Sequence, residues 1–282
     1  MNQLNLNLSC EFFPTATVQG AEKLKIVRER LNQHLKLNYF SITYGAGGSN
    51  QDRSLALIEK ICAEKVIPAI AHLTCVGAKK QDLLSLLQHY QNLGVYGIMA
   101  LRGDLPSGDV WGGDLKTAAD LVALIKENFP NFKIKVAAYP EKHPKASTLS
   151  EDLKVLKEKA DLGADEAVSQ YFFNPEAFLY FRDEAVKMGI KIPLTAGIMP
   201  IMNFRQLASF SDNCGADLPR WIRNKLAEYE NDQPSLWAFG NEVVAKICQR
   251  LISEGVNNMH FYSMNKAEPI LAVARQLGWI NG

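Results

Sequence analysis

Apolar and β-branched residues gather in short runs along this chain, and several runs stop abruptly at a polar or ionisable residue followed by Pro, Gly or Thr. Strands are predicted from such runs at 4–10, 38–44, 67–74, 97–102, 133–139, 166–172, 193–198 and 259–263. Between them, apolar positions recur at i, i+3 and i+4, which predicts amphipathic helices over 19–34, 50–64, 79–93, 114–128, 150–161, 175–188, 235–254 and 266–276. In the second of these, Asn50 is placed to cap, and Leu55, Ile58, Ile61 and Cys62 share one face. Strict alternation of strand and helix favours parallel βα units, because adjacent parallel strands need a crossover of helical length. Eight such units make an α/β fold of the (β/α)8 TIM-barrel type; a doubly wound open sheet is the competing architecture. The extra helical length from 203 to 254 breaks the regular spacing. It is expected to form additional helices before the last strand, over the mouth of the barrel. With no internal repeat, low-complexity tract or Gly/Ser linker, one barrel domain over 1–282 is expected.

Composition changes this picture little but excludes several function classes. A chain of 282 residues with 47% hydrophobic content suits one large core. With 31 basic and 30 acidic residues, a net charge of +1 offers no attraction for nucleic acid or an anionic membrane, so neither is expected as a partner. The five cysteines are odd in number and lack CxxC spacing, which points to reduced thiols in a cytoplasmic protein rather than a disulfide framework or zinc site. No leader pattern opens the chain and no run of about 18 apolar residues occurs, so a soluble, unexported protein is expected. Five scattered histidines give no metal-ligand spacing.

In a parallel barrel the strand ends converge on one face, where that fold keeps its active site. Glu11 lies in Cys10-Glu11-Phe12-Phe13-Pro14, on a strand whose Asn5, Asn7, Ser9 and Glu11 share one face while Leu4, Leu6 and Leu8 share the other. Apolar surroundings disfavour a carboxylate, and a carboxyl kept protonated near neutral pH can act as a general acid. A strand-end Glu paired with a neighbouring base is the plainer reading. Arg102-Gly103-Asp104 forms a turn that offers forked donors, an acceptor and close backbone approach to a flat ligand, or else an ordinary surface turn with a weak ion pair. Gly45-Ala46-Gly47-Gly48-Ser49 resembles a phosphate cradle but lacks GxGxxG spacing and a P-loop ending. His72 reads as a ligand contact or a hydrogen-bonded core histidine; His143 and Lys159 read as diphosphate contacts or solvated surface groups. Gln170 sits beside Tyr171-Phe172-Phe173, aromatics that either stack on a ligand or pack beneath a loop. Phe210 recurs at helical spacing with Leu207 and is expected in the core. No GxSxG elbow or Cys/His arrangement points to a covalent hydrolase.

Six segments in this order resemble the catalytic barrel of the methylenetetrahydrofolate reductase family, flavoproteins of one-carbon metabolism. They are Glu11-Phe12-Phe13-Pro14, Thr43-Tyr44-Gly45-Ala46, Ala71-His72-Leu73-Thr74-Cys75, Ala100-Leu101-Arg102-Gly103-Asp104-Leu105-Pro106, Ala137-Ala138-Tyr139-Pro140-Glu141 and His260-Phe261-Tyr262. The resemblance spans roughly residues 8–279 and implies the short bacterial form, without a regulatory domain. It implies FAD across the strand ends, ping-pong hydride transfer from NADH or NADPH to 5,10-methylenetetrahydrofolate, and a 5-methyltetrahydrofolate product that feeds methionine synthesis. Glu11 matches the family's general acid. Asp104 matches the carboxylate between pterin and flavin. Gln170, Gln206, Phe210 and Lys266 match folate contacts, together with Asp104. Thr43, Tyr44, Ala46, His72, Arg102, Gly103, Asp104, Ala118, Tyr139, His143, Ala146, Asp152 and Lys159 match flavin contacts. The chain departs from the family at Lys266, where Arg is common, at Val155 and Glu158, where polar and basic residues are common, and at Thr117, where an aromatic is common. The resemblance also implies a homo-oligomer. A barrel flavoprotein of another substrate class, such as the proline dehydrogenase type, and a non-catalytic folate- or flavin-binding protein are the competing functions.

Overall fold

A computed structural model describes residues 6–44, 51–104 and 112–280. Eight parallel strands hydrogen-bond in chain order: β1 (Asn7–Phe12), β2 (Tyr39–Ile42), β3 (Ala69–Thr74), β4 (Gly97–Leu101), β5 (Lys133–Ala138), β6 (Glu166–Tyr171), β7 (Leu194–Ile198) and β8 (Asn258–Tyr262). β8 pairs back onto β1, with Ser9 opposite His260 and Glu11 opposite Tyr262, so the sheet is closed and the open-sheet alternative falls. Helices cover the outside: α1 (Val18–Leu35), α2 (Gln51–Glu64), α3 (Lys80–Leu93), α4 (Ala118–Asn128), α5 (Leu149–Asp161), α6 (Pro175–Lys187), α7 (Phe204–Cys214), α8 (Arg220–Glu228), α9 (Gln233–Ser253) and α10 (Glu268–Gln276). The expected extra helices are α7 and α8, placed between β7 and the long helix α9. None of the helices among the described residues is long and apolar enough to cross a membrane.

Period-2 alternation divides each strand between two environments. Leu8, Cys10 and Phe12 of β1 and Phe40 and Ile42 of β2 face the helical shell, where they join one large core with residues such as Ile58, Leu87 and Ile125. The inward positions hold a small separate cluster, Tyr39, Ile70, Met99 and Val168, with Leu101 against it. Most of the remaining inward positions are polar. Lys135 is buried against Glu166, whose carboxylate also accepts from the Tyr39 hydroxyl at 3.1 Å and from Thr195 Oγ1 at 2.7 Å. Lys135 Nζ sits 4.1 Å above the Tyr39 ring, a cation–π contact. One layer higher, His260 is held between the hydroxyls of Ser9 and Ser41, at 2.7 and 3.3 Å, and stacks on Tyr39.

Two element starts differ from expectation by three residues or more. β1 runs from Asn7 to Phe12 rather than 4–10, because the alternation carries on through Glu11 to a fully buried Phe12. Leu4 and Asn5 lie outside the described residues, as do the expected cap Asn50, the glycine run 45–49 and the segment Leu105-Pro106. α4 starts at Ala118, not 114, because Thr117 and Asp120 form a reciprocal capping box, while Leu115 buries itself ahead of the helix. β6 carries a bulge: its pairing with β7 shifts register between Val168 and Tyr171.

Removing one partner of a buried ion pair leaves an uncompensated charge, which costs about 3–5 kcal/mol. Glu166→Ala is therefore expected to lose stability on that scale in urea denaturation, and Lys135→Met with Glu166→Leu to recover most of the loss. A single substitution as mild as the double would show that the pair is not buried in solution.

Candidate active site

The strand ends on the carboxyl side open into two adjoining cavities. The larger, about 730 Å³, is lined by Glu11 from β1, Asp104 after β4, Gln170 and Tyr171 from β6, Gln206, Phe210 and Cys214 from α7, and Tyr262 from β8. The smaller, about 390 Å³, lies toward α4 and α5. Arg102, Thr117, Ala118, Ala146, Asp152, Val155, Glu158 and Lys159 line it. Tyr139, His143 and Lys145, all from the segment after β5, line both cavities and form the wall they share.

Glu11 is the inward residue nearest the carboxyl end of β1, with His72 of β3 beside it: Nε2 stands 3.6 Å from Glu11 Oε2, too far for a hydrogen bond. Burial raises the Glu11 carboxyl to about 7 and lowers the His72 imidazole to about 4. Below neutral pH both groups are thus largely uncharged, while at neutral pH Glu11 still holds its proton about half of the time, and the His72 Nε2 atom is buried with no hydrogen-bond partner. Burial holds His260 lower still, at about 3, with His72 and Lys135 as further causes. The expected general-acid state of Glu11 is therefore set by exclusion of water and not by pairing with a base.

The bulge in β6 has a local purpose. Ser169 Oγ accepts from Gly197 N at 2.8 Å, and the Tyr262 hydroxyl donates to Ser169 O at 2.8 Å. These bonds tie down the bulged segment beside Gln170, whose Oε1 accepts from Tyr171 N at 3.0 Å. A Cβ on Gly197 would lie 2.2 Å from Ser169 O and 2.9 Å from the Tyr262 ring, so only glycine permits this approach. The Tyr171 hydroxyl bonds Ser211 of α7 at 3.1 Å.

Lys159 is buried, contrary to the surface reading. Its ammonium donates to Ala137 O at 2.7 Å, and burial lowers it to about 8. His143 accepts from Lys145 N on Nδ1 at 3.0 Å, which places any ring proton of the neutral form on Nε2. Its own N–H donates to Asp152 at 3.0 Å, and its ring meets the Tyr139 ring edge-on at 4.6 Å. Buried and half-buried cationic and N–H groups beside a wall of Ala100, Ala118, Ala119, Ala137 and Ala146 suit a flat, phosphate-bearing group. The residues therefore fit a flavin nucleotide.

Several expected residues stand apart from the cavity linings. Thr43 and Tyr44 follow β2, where Thr43 N donates to Phe12 O at 3.0 Å. Gly103 adopts φ +85°, and a Cβ there would meet Val76 Cγ1 at 2.5 Å. Lys266 is exposed on the segment after β8, with its N–H bonded to Ser263 O at 2.9 Å, and lines neither cavity. Ala46 lies outside the described residues. Phe210, which its spacing placed in the core and the resemblance among the folate contacts, is 39% exposed and lines the larger cavity. Tyr171, Phe172 and Phe173 are all buried, the packing outcome, though Tyr171 also reaches the cavity. Arg102 Nε donates to Gly103 O at 3.1 Å. Sequence reasoning named Tyr262 only within a family segment and gave it no role, although the alternation in β8 puts it on the inward face with His260. It likewise gave no role to Glu141, whose carboxyl burial raises to about 7 against the opposing hydrogen bond from Asp217 N. Among the described residues no group of three or more His, Cys, Asp or Glu could hold a metal ion.

Comparison with known proteins agrees with this geometry. The profile of the family described as "Methylenetetrahydrofolate reductase" matches residues 1–278. The chain is 39% identical over 276 residues to the 5,10-methylenetetrahydrofolate reductase of Salmonella typhimurium, covering 98% of this chain and 92% of that protein. It is 38% identical over 276 residues to the same-named protein of Escherichia coli, with the same coverage. Among solved structures, a Clostridium thermocellum protein described as binding two copies of 5-methyl-5,6,7,8-tetrahydrofolic acid shares the fold at a TM-score of 0.64. It is 16% identical, with 98% of this chain and 95% of that chain covered.

The raised Glu11 carboxyl has a consequence for stability. Between its ordinary value of 4.5 and about 7, the folded protein holds this proton more tightly than the unfolded chain. Its contribution to stability therefore falls as pH rises through that window, and the penalty is complete above it. Glu11→Gln is expected to be more stable than the parent at pH 8, on the order of 2 kcal/mol, with the difference vanishing near pH 4. Denaturant titrations at the two pH values check this; equal differences at both would refute the burial-raised carboxyl.

Proposed function

The chain belongs to the methylenetetrahydrofolate reductase family and is an oxidoreductase of folate one-carbon chemistry, and from that premise we propose a flavin route: ping-pong reduction of 5,10-methylenetetrahydrofolate to 5-methyltetrahydrofolate through FAD, with NADH or NADPH as donor and methionine synthesis as the consumer. The observation that carries this reading is a half-buried carboxyl, Glu11, which its surroundings raise to about 7, in the larger of two cavities joined at Tyr139, His143 and Lys145. Family membership sets aside a dehydrogenase of the proline type.

In this reading the smaller cavity takes the flavin nucleotide, with Lys159, His143 and Arg102 toward its phosphates and Ala118, Ala146 and Tyr139 against its flat parts. Asp152 braces His143 through the backbone. His72, Thr43, Tyr44 and Gly103 shape the strand ends around it, and the resemblance to the family adds Ala46, which lies outside the described residues. When bound, the flavin would take a hydride from the nicotinamide donor and pass it to the one-carbon bridge. The larger cavity takes the folate, with Gln170 and Gln206 offering amides, Phe210 an aromatic face and Asp104 an acceptor for pterin N–H groups, while Lys266, exposed outside the lining, offers a charge to a glutamate carboxylate that reaches beyond the cavity.

Glu11 performs the proton step. A neutral carboxyl donates its proton to the ring nitrogen of the substrate's five-membered ring; the C–N bond then breaks toward that nitrogen, leaving an electrophilic iminium on the one-carbon bridge. Hydride addition at that carbon completes the methyl group. The neutral His72 beside Glu11 neither competes for the proton nor pairs with the carboxylate left behind. Lys266 offers a point charge, where an Arg would offer a bidentate fork.

Anaerobic absorption spectra test the reading: the flavin band should bleach with NADH or NADPH and return with methylenetetrahydrofolate, and a protein that takes up no FAD would overturn it. Glu11→Gln is expected to bleach at the parent rate but to lose more than about 100-fold in reoxidation by the folate; equal loss in both half-reactions would refute the general-acid role. Lys266→Ala is expected to raise the folate KM several-fold with the bleaching rate unchanged.

A further inference from the structure

Helix α7 carries Gln206 and Phe210 to the larger cavity, yet of its 11 residues only Leu207 and Ser211 are buried. So small a buried face does little to fix a helix, and its position depends on its attachments: exposed ion pairs of Arg205 with Glu230 and of Asp212 with Arg223 tie its outer side to α8 and the turn after it, and further contacts act at its ends and inner face. At its start, Asn203 caps by accepting from Gln206 N at 2.9 Å. Along its inner face, Ser211 bonds the Tyr171 hydroxyl. At its far end the chain turns through Gly215, at φ +74°, and meets the segment after β5. There Glu141 Oε2 accepts from Asp217 N at 2.8 Å, and a Cβ on Gly215 would lie 2.9 Å from Pro144 Cγ.

Glu141 is itself held firmly. It lies in a tight turn closed by the bond from Lys142 N to Tyr139 O, with Lys142 at φ 75° and its ammonium on Ala146 O at 2.6 Å. That turn directly follows Tyr139, which lines both cavities. The Glu141 side chain is thus a strut from the wall shared by the two cavities to the end of the helix that forms the far wall of the larger one.

We propose that Glu141 is a positioning residue, holding the C-terminal end of α7 so that Gln206 and Phe210 face the folate while contributing nothing to the flavin side. The inference rests on reading the larger cavity as the folate site. What matters at position 141 is an acceptor oxygen at the reach of a Glu side chain. A Gln supplies it, an Asp falls one methylene short, and an Ala removes it.

The test uses flavin-loaded enzyme and three variants, Glu141→Ala, Glu141→Asp and Glu141→Gln. Each is assayed for folate KM and kcat, for the rate of flavin bleaching by NADH or NADPH, and for amide hydrogen exchange across Phe204–Cys214. Glu141→Ala is expected to raise the folate KM about tenfold and to speed exchange in α7. Glu141→Asp should show a smaller rise, and Glu141→Gln should stay near the parent in both readings. Bleaching should be unchanged throughout. An unchanged KM and unchanged exchange in both Glu141→Ala and Glu141→Asp would overturn the proposal, as would equal slowing of both half-reactions, or a Glu141→Gln as damaging as Glu141→Ala. Should the parent protein itself fail to reduce the folate, the functional reading falls, and exchange in α7 still decides whether Glu141 holds the helix.

Discussion

Closing eight parallel strands on themselves obliges every strand to bury both of its faces, and in this chain the inward face is largely polar. The polar side chains that point into the barrel must find partners there, because water does not reach them. They find partners in layers. Lys135, Glu166, Tyr39 and Thr195 satisfy one another at the amino-terminal end, and Ser9, Ser41 and His260 do so above them. Ile70, Met99 and Val168 form a small apolar cluster with Tyr39 inside the barrel. Each of these residues occupies its place because the period-2 pattern of its strand puts it inward, so strand register and internal polarity are one constraint.

The same constraint shapes the carboxyl end. Above His260 the inward positions belong to Glu11, His72, Gln170 and Tyr262, and here pairing gives out: His72 Nε2 is left without a partner and stands 3.6 Å from Glu11. Loops and helices beyond the strands then enclose the space. The segment after β5 separates two cavities and lines both, while the α7 insertion closes the larger one. A bulge in β6 and the bare approach of Gly197 bring Tyr262 and Gln170 to the same chamber. The arrangement gives a ligand at the shared wall contact with both halves at once.

What could be read in advance followed from local patterns. Eight apolar runs and the helices between them are local signals, and all eight strands fall where the runs predict within a few residues. Glu11, Asp104, Gln170 and Gln206 come together because each lies at a strand end or in the insertion that caps the barrel. Other features escaped for equally physical reasons. Lys159 has the sequence surroundings of a solvated helical lysine, and only the closing of α5 over Ala137 buries it. Phe210 has the spacing of a core residue, yet α7 projects beyond the barrel and turns that face to the cavity. Glu141 acts on Asp217, 76 positions away, and nothing in the local pattern of either residue announces the contact.

The contrast between the two ends of the barrel explains why an acid can sit at the upper one. At the lower end, opposite charges lie together, and each compensates the burial of the other. Had Glu11 been given a cationic partner of that kind, the attraction would have offset the effect of burial and favoured loss of the proton at neutral pH. Instead its closest basic neighbour is an imidazole that burial itself keeps neutral, and His260 beneath is neutral for the same reason. Partial burial thus acts on acid and base in opposite senses and favours the uncharged form of each: the carboxyl rises to about 7 as the imidazole falls to about 4. The proton is retained because, among the described residues, the anion has no cationic partner, a condition that the polar but neutral interior beneath it can meet and a paired one cannot.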